Sequence, residues 1–223
     1  MAAELKLVEP TLNVTLIHSR RDLLSSEPLP DDFKERVLVT LQQTGVDVIL
    51  SSRVVDVVRV KYTDGTPTSR LILKDSTHII ASHVIWAVSR STPTSSYMPP
   101  STLDSEGYIN VEPTMNIAID NPNSQKHFAV GDIASWSGIR RCGGAMHMGH
   151  IAALNIYQQL LSNQTGCIPK FTEIAAFPAM IALAVGSKAV VYSPTEGTVS
   201  GEEQMKLYFG EDLGLTSKSL MSA

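Results

Sequence analysis

Two arginines, Arg20 and Arg21, stand just beyond the apolar run Val14 to Ile17. A buried strand ending in a polar loop is how the second strand of a dinucleotide-binding unit reaches the adenosine ribose. An acidic residue there accepts from the 2′-hydroxyl of NAD, whereas arginine pairs with the 2′-phosphate of NADP. No Asp or Glu ends this strand, so a nucleotide held at Ser19, Arg20 and Arg21 is expected to be NADP. The plain alternative is a solvated pair of loop arginines. A second constellation is His127 to Asp132, HFAVGD. A strand over His127 to Val130 running into Gly131-Asp132 puts a carboxylate at the carboxyl end of a sheet, where ligands bind in open α/β folds. Gly131 permits close backbone approach, and Asp132 can accept hydrogen bonds from a polyol. A turn-capping aspartate is the alternative. The third is Gly143-Gly144, opening a helix predicted over Ala145 to Leu161. Free N–H groups and the positive dipole end there stabilise negative charge. His147 and His150 share a helix face but lack a third ligand, which argues against zinc. GxSxG, P-loop and HExxH patterns are absent.

These residues need elements to position them. MAAELKL reads as helix without a cap, and VTLI follows as a strand. A second helix is predicted from Asp31 to Thr44, with Phe33, Val37, Leu38 and Leu41 on one face. Asp32 and Glu35 have capping-box spacing, and Gly45 is its C-terminal stop. Val46 to Leu50 is again a strand, so the α-β-α-β order implies a parallel pair. A β-meander follows: Val54 to Tyr62, a turn at Asp64-Gly65, Arg70 to Leu73, and Thr77 to Ile80. Val84 to Val88, VIWAV, is expected to return as a buried strand. The Ser/Thr/Pro-rich stretch from Ser89 to Thr102 reads as a linker. Beyond it lie a short strand at Gly107 to Val111, a turn cluster at Asp120 to Gln125, and a helix stop at Gly166 to Pro169. Ala179 to Ala184 and Lys188 to Tyr192 read as strands around a turn at Gly186, and the tail from Thr216 as frayed.

Composition bounds the function. The 223 residues are 43% hydrophobic and 18% charged, which excludes disordered, collagenous and coiled-coil classes. The net charge of −4 offers no broad basic field, so nucleic-acid binding is disfavoured. The two cysteines, Cys142 and Cys167, form no CxxC and no disulfide framework, and a reducing compartment is expected. No stretch is long enough for a transmembrane span, and the first residues do not read as a signal peptide. Cytoplasmic residence is the expectation, with mitochondrial or membrane-peripheral association as variants of it.

The order of pieces resembles the C-terminal portion of the pyridine nucleotide-disulfide oxidoreductase superfamily, in its apoptosis-inducing-factor-like and ferroptosis-suppressor-like branch. The residues carrying the resemblance are MAAELK, VTLIHSRRDLL, LQQTGVDVILSSRV, Thr114 ahead of HFAVGDIA, and AALNI. The resemblance implies an α/β fold. An incomplete Rossmann-type NAD(P)-binding domain with its β-meander would span 1–90, a returning segment of a FAD-binding domain 91–168, and a small α+β C-terminal domain 169–223. It implies FAD and NAD(P)H as cofactors. Gly131 and Asp132 would meet the ribityl chain, Ala145, Met146 and His147 the flavin ring, and Ser19, Arg20 and Arg21 the NAD(P) adenosine half. The implied activity is hydride transfer from NAD(P)H to FAD, with electrons passed to a quinone-like acceptor and a homodimer among the arrangements allowed. No residue is assigned acid–base catalysis. The sequence departs from the family in lacking both Gly-rich turns and the redox-active CxxxxC. It also has Ala87-Val88-Ser89 where Ala-Thr-Gly is common. A truncated member is therefore expected, and the alternative is a non-catalytic nucleotide-binding remnant or interaction module.

Overall fold

The structure, a computed structural model, describes residues 1–61, 67–88, 92–121 and 123–210. The expected Asp64-Gly65 turn, Ser89, Pro122 of the turn cluster and the tail from Thr216 lie outside the described residues. The chain divides into two compact units, Met1–Val88 with Met180–Ala223, and Ser89–Ala179. The segments expected from sequence divide at 90 and 168 instead, with the end of the chain on its own.

The first unit opens with α1 (Ala2–Val8), β1 (Val14–Ile17), α2 (Asp31–Gln43) and β2 (Val46–Ile49). β1 and β2 pair in parallel, Val14 opposite Val46 and Ile17 opposite Ile49, as the element order predicts. The helical spacing of Phe33, Val37 and Leu41 buries one face of α2. Thr40 shares that face and stays satisfied because its hydroxyl donates to the Arg36 carbonyl at 2.7 Å. The expected capping box does not form. The helix starts after Pro30 with no side-chain cap bond, so Asp32 already lies inside the first turn. There Asp31 and Asp32 offset the positive helix end instead.

β3 (Val54–Lys61), β4 (Pro67–Leu73) and β5 (His78–Ala81) form the predicted antiparallel meander. The expected strand at Val84 to Val88 does not form. The segment has no ladder partner among the described residues, and Trp86 is 59% and Val88 79% exposed. An apolar run is stable as a central strand only between neighbours, and among the described residues the β1–β2 sheet has two strands.

In the second unit, β6 (Ile109–Asn110) pairs in parallel with β7 (Ala134–Ser135). The expected strand at His127 to Val130 shrinks to a bridge between Asn116 and Phe128. Two bonds flank it, Ile117 N–H to the His127 carbonyl and Ala129 N–H to the Met115 carbonyl. The ladder stops because fully buried Met115 sits at φ +65° and bends the partner strand away. α3 (Cys142–Thr165) is longer than predicted at both ends. Glycine disfavours helix by about 1 kcal/mol, so Gly143 and Gly144 read as its boundary although they lie within its first turn.

α3 buries Met148, Ile151 and Ala152 against Met115, Ala134 and Ile174. On the same face Asn155 is 0% exposed. Its amide donates to the Thr114 carbonyl at 2.9 Å and the Thr172 carbonyl at 2.8 Å, and its oxygen accepts from Thr172 N–H at 2.7 Å. Asp104 ties the loop before β6 to β7. It accepts from the Ser135 hydroxyl at 2.7 Å and from the N–H groups of Glu106 and Tyr108, each at 2.9 Å. The Ser135 bond and then these N–H groups hold its carboxyl below the usual aspartate range.

The chain then returns to the first unit as an antiparallel set, β8 (Ile181–Val185), β9 (Lys188–Ser193) and β10 (Gly197–Gly201), followed by α4 (Glu202–Phe209). The first two strands match the prediction; β10 and α4 were not foreseen. This sheet lies on α2, with Tyr192 edge-on to Phe33 at 6.3 Å between ring centroids. Gly186 turns the β8–β9 hairpin at φ +62°, and a Cβ there would come within 3.0 Å of the Thr44 methyl. Only glycine meets both demands.

Two outcomes test this account. Asn155→Ala removes three hydrogen bonds of a fully buried side chain and is expected to cost about 1–3 kcal/mol, read from the urea midpoint. The depressed Asp104 carboxyl contributes stability above the unfolded value of about 3.9 and loses it as pH falls through the lower folded value. Asp104→Asn should therefore be less stable than wild type at neutral pH, with the gap closing below about pH 4. Parallel acid and neutral denaturation curves check this, and a gap independent of pH would refute it.

Candidate functional site

Beyond β1 and β2 the two strands stay zipped past their formal ends. His18 N–H donates to the Ile49 carbonyl at 2.8 Å, Ser52 N–H to His18 at 3.0 Å, and Ser51 N–H to Arg20 at 2.9 Å. This fixes the backbone of Ser19, Arg20 and Arg21 at the carboxyl end of the parallel pair, with all three side chains exposed. The Arg20 guanidinium reaches the Ser25 hydroxyl at 3.2 Å. The pair thus presents positive charge where the sequence places it.

In the second unit, Gly131 opens a single 3-10 turn, Gly131–Ile133, at φ +78°. A Cβ there would stand 3.6 Å from the Ala145 methyl, so this turn meets the first turn of α3. Gly131, Asp132 and Ala145 line one narrow cleft together with Trp136, Arg140, Arg141, Gly144 and Phe177. Asp132 is exposed at its edge. Met146 and His147 do not line it: the Met146 sulfur lies 3.6 Å from the Cys142 thiol, and the His147 ring packs on Phe177 at 5.7 Å. The helix begins at Cys142, three positions ahead of the predicted start, so its free N–H groups fall on residues 142–144, and Ala145 N–H already donates to the Arg141 carbonyl at 3.1 Å.

The cleft's electrostatics follow from local chemistry. No acidic residue sits in the first turn of α3 to offset its positive end. Arg140 and Arg141 precede it directly; Arg140 lies over the Tyr108 ring at 3.7 Å, and Arg141 donates to the Arg140 carbonyl at 2.6 Å. Gly143 and Gly144 face open space, with nothing within 4 Å of a built Cβ. The Trp136 indole N–H is buried without an acceptor among the described residues. The cleft encloses only about 10 Å³, room for a single water. It is therefore a shallow crevice rather than a closed pocket. A larger cavity of about 250 Å³, lined by Glu112, Thr114, Asn116 and Phe171, contains none of the predicted residues.

Sequence reasoning missed Trp136, Arg140 and Phe177. The basic pair next to Gly-Gly was a usable signal, since it places charge at a helix start. Trp136 and Phe177 carried none, because packing across a long loop brings them in.

A parallel strand pair joined through a helix is the architecture of α/β dinucleotide-binding folds. The chain belongs to the pyridine nucleotide-disulphide oxidoreductase family, which matches residues 1–149. That stretch contains every predicted site residue. The chain is 50% identical over 215 residues to "Oxidoreductase OXR1" of Ajellomyces capsulatus, covering 96% of this chain and 46% of that protein. It is 30% identical over 175 residues to "Fe-regulated protein 8" of Mycosarcoma maydis, covering 78% and 40%. The chain thus spans less than half the length of these relatives. Among solved structures it resembles a water-forming NADH oxidase from Lactobacillus brevis bound to NADH. The TM-score is 0.58 at 16% identity, over 85% of this chain and 38% of that one.

The open glycines make a direct prediction. Gly144→Ala adds no clash and replaces the poorer helix former, so it should stabilise the chain by up to about 1 kcal/mol. A fall in thermal midpoint would show that the space at Gly144 is not open.

Proposed function

We propose that this chain is the part of a FAD-dependent NAD(P)H oxidoreductase that holds the flavin's ribityl and ring end and the nucleotide's adenosine end. The observation that carries the reading is the first turn of α3, uncompensated by acid, open at two glycines and set against Gly131-Asp132. The buried, unpartnered Trp136 N–H beside it supports a group still to be accommodated there. Within residues 1–223 no Gly-rich strand–turn–helix cradles a pyrophosphate, so the chain supplies part of the cofactor contacts. When bound, flavin would supply a two-electron relay, taking hydride from NAD(P)H and passing electrons to a quinone or similar acceptor.

The chain's own residues divide the work. The free N–H groups of residues 142–144 favour negative charge on the flavin ring, with Ala145, Met146 and His147 as the ring-side residues. Asp132 accepts hydrogen bonds from ribityl hydroxyls, and Gly131 lets the backbone come close. Ser19, Arg20 and Arg21 take the adenosine ribose and favour a 2′-phosphate. The alternative reading is a nucleotide-binding or interaction module without turnover.

Titrating the purified chain with FAD and following flavin fluorescence separates these. Saturable binding is expected, weakened about tenfold, or about 1.4 kcal/mol, by Asp132→Ala. NADPH should bind more tightly than NADH, and replacing Arg20 and Arg21 with alanine should erase the difference. An Asp132→Ala variant indistinguishable from wild type would remove the ribityl assignment. Absence of any flavin uptake would leave the module reading.

A further inference from the structure

The cavity of about 250 Å³ within the Ser89–Ala179 unit takes no part in the flavin reading. Its frame is local. Glu112 N–H donates to the Asn116 carbonyl and Met115 N–H to the Glu112 carbonyl, each at 2.8 Å, which closes a tight turn around Met115. The short turn Ser124–Lys126 contributes a second side. Ile174 N–H bonds the Pro113 carbonyl at 2.9 Å, and the same segment brings Phe171 to the cavity wall. The space equals that of about eight water molecules at ~30 Å³ each.

Three side chains define its chemistry. Asn116 is 5% exposed. Its carboxamide oxygen accepts from the Thr114 hydroxyl at 2.8 Å, while its nitrogen has a single contact, 3.5 Å to the Ser124 carbonyl. That distance is the outer limit of a hydrogen bond, so a buried amide with two N–H groups keeps donor capacity for an occupant. The Glu112 carboxylate is the one charge on the cavity wall, and it has no ion pair or hydrogen bond among the described residues. Phe171 adds an aromatic ring, and Ile117 and Ile119 add apolar surface.

An unpaired carboxylate and a ring in one cavity select an organic cation, since the charge and the π face both attract it. No Lys, Arg or His lines the space, which disfavours an anion. Glu112 has no second carboxylate, histidine or cysteine with it on the wall, which disfavours a metal ion. The open Asn116 N–H calls for an acceptor on the same molecule, and a hydroxyl provides one.

We propose that this cavity binds a small organic ammonium bearing a hydroxyl, an amino alcohol of choline's kind. Glu112 and Phe171 hold the ammonium, and Asn116 holds the hydroxyl. A phosphate ester next to the ammonium would bring negative charge toward Glu112, so the ligand is the free amino alcohol and not a lipid headgroup. The proposal does not rest on the flavin reading, because none of its residues is assigned to the cofactor and its test contains no flavin.

The test titrates the purified 223-residue chain with choline chloride, followed by calorimetry and by NMR. Expected is saturable one-to-one binding, with a nuclear Overhauser contact between the choline methyl protons and the Phe171 ring. The neutral isostere, in which carbon replaces the ammonium nitrogen, should bind about tenfold more weakly. Glu112→Gln should lower choline affinity about fivefold and Phe171→Leu about threefold, both with wild-type circular dichroism. Should Phe171→Leu fail to fold, the Overhauser contact in the wild-type chain decides in its place. Phosphatidylcholine vesicles and glucose should not displace choline. The proposal is overturned by absence of saturable choline binding, by absence of the Phe171 contact, or by equal affinity for the neutral isostere. Wild-type affinity in Glu112→Gln overturns it too, as does displacement by glucose, which would make the site one for polyols, or by the vesicles, which would make it one for headgroups.

Discussion

A carboxamide shut away from water must be matched bond for bond, and Asn155 is matched by the backbone at Thr114 and Thr172. Sliding or rotating α3 would strand those groups at once. The helix is therefore locked in register, and the apolar contacts of Met148, Ile151 and Ala152 follow from that lock. Cys142 lies thirteen residues before Asn155, about 20 Å along the helix axis. A rigid helix carries the constraint that far, so the meeting of Ala145 with Gly131 is set from well inside the unit. The open glycines are tolerable for the same reason: the tertiary clamp, not local propensity, keeps the first turn wound.

Much of the first unit was legible because each element satisfies its own periodicity. Phe33, Val37 and Leu41 announce α2, and the alternation from Val54 to Leu73 announces the meander. Reading failed where an element depends on neighbours. Val84 to Val88 has the composition of a core strand but no flanking strands among the described residues, so it joins no ladder and Ile85 to Val88 are exposed. His127 to Val130 has partners, yet the left-handed Met115 cuts the ladder short, and no residue type signals that a methionine will adopt that conformation. For the candidate site, the Gly-Asp turn and the helix start were visible as spacing. Trp136 and Phe177 were not, because their places come from the packing of loops distant in sequence. The start of α3 was misplaced because glycines there look like a boundary.

Net charge was a poor guide to local potential. A chain of net charge −4 still gathers Arg140 and Arg141 at a helix start and Arg20 and Arg21 at a strand end. Arg140 is steadied by the Tyr108 face, which keeps a cation in place without neutralising it. The field at a short distance is set by such placements, and the global sum bears mainly on solubility and nonspecific attraction.

The first unit is discontinuous: α2 packs against strands made after the whole of the second unit has been passed. This has a consequence for synthesis. Residues 89–179 include every partner of the Asn155 clamp and can close as soon as they leave the ribosome. β2 packs on α2 as soon as it is made, but the face of α2 is completed only when β9 emerges, so Phe33 lacks its Tyr192 contact during all of that time. The later segment of the chain thus folds first, and the earlier one is the stretch that chaperones would meet.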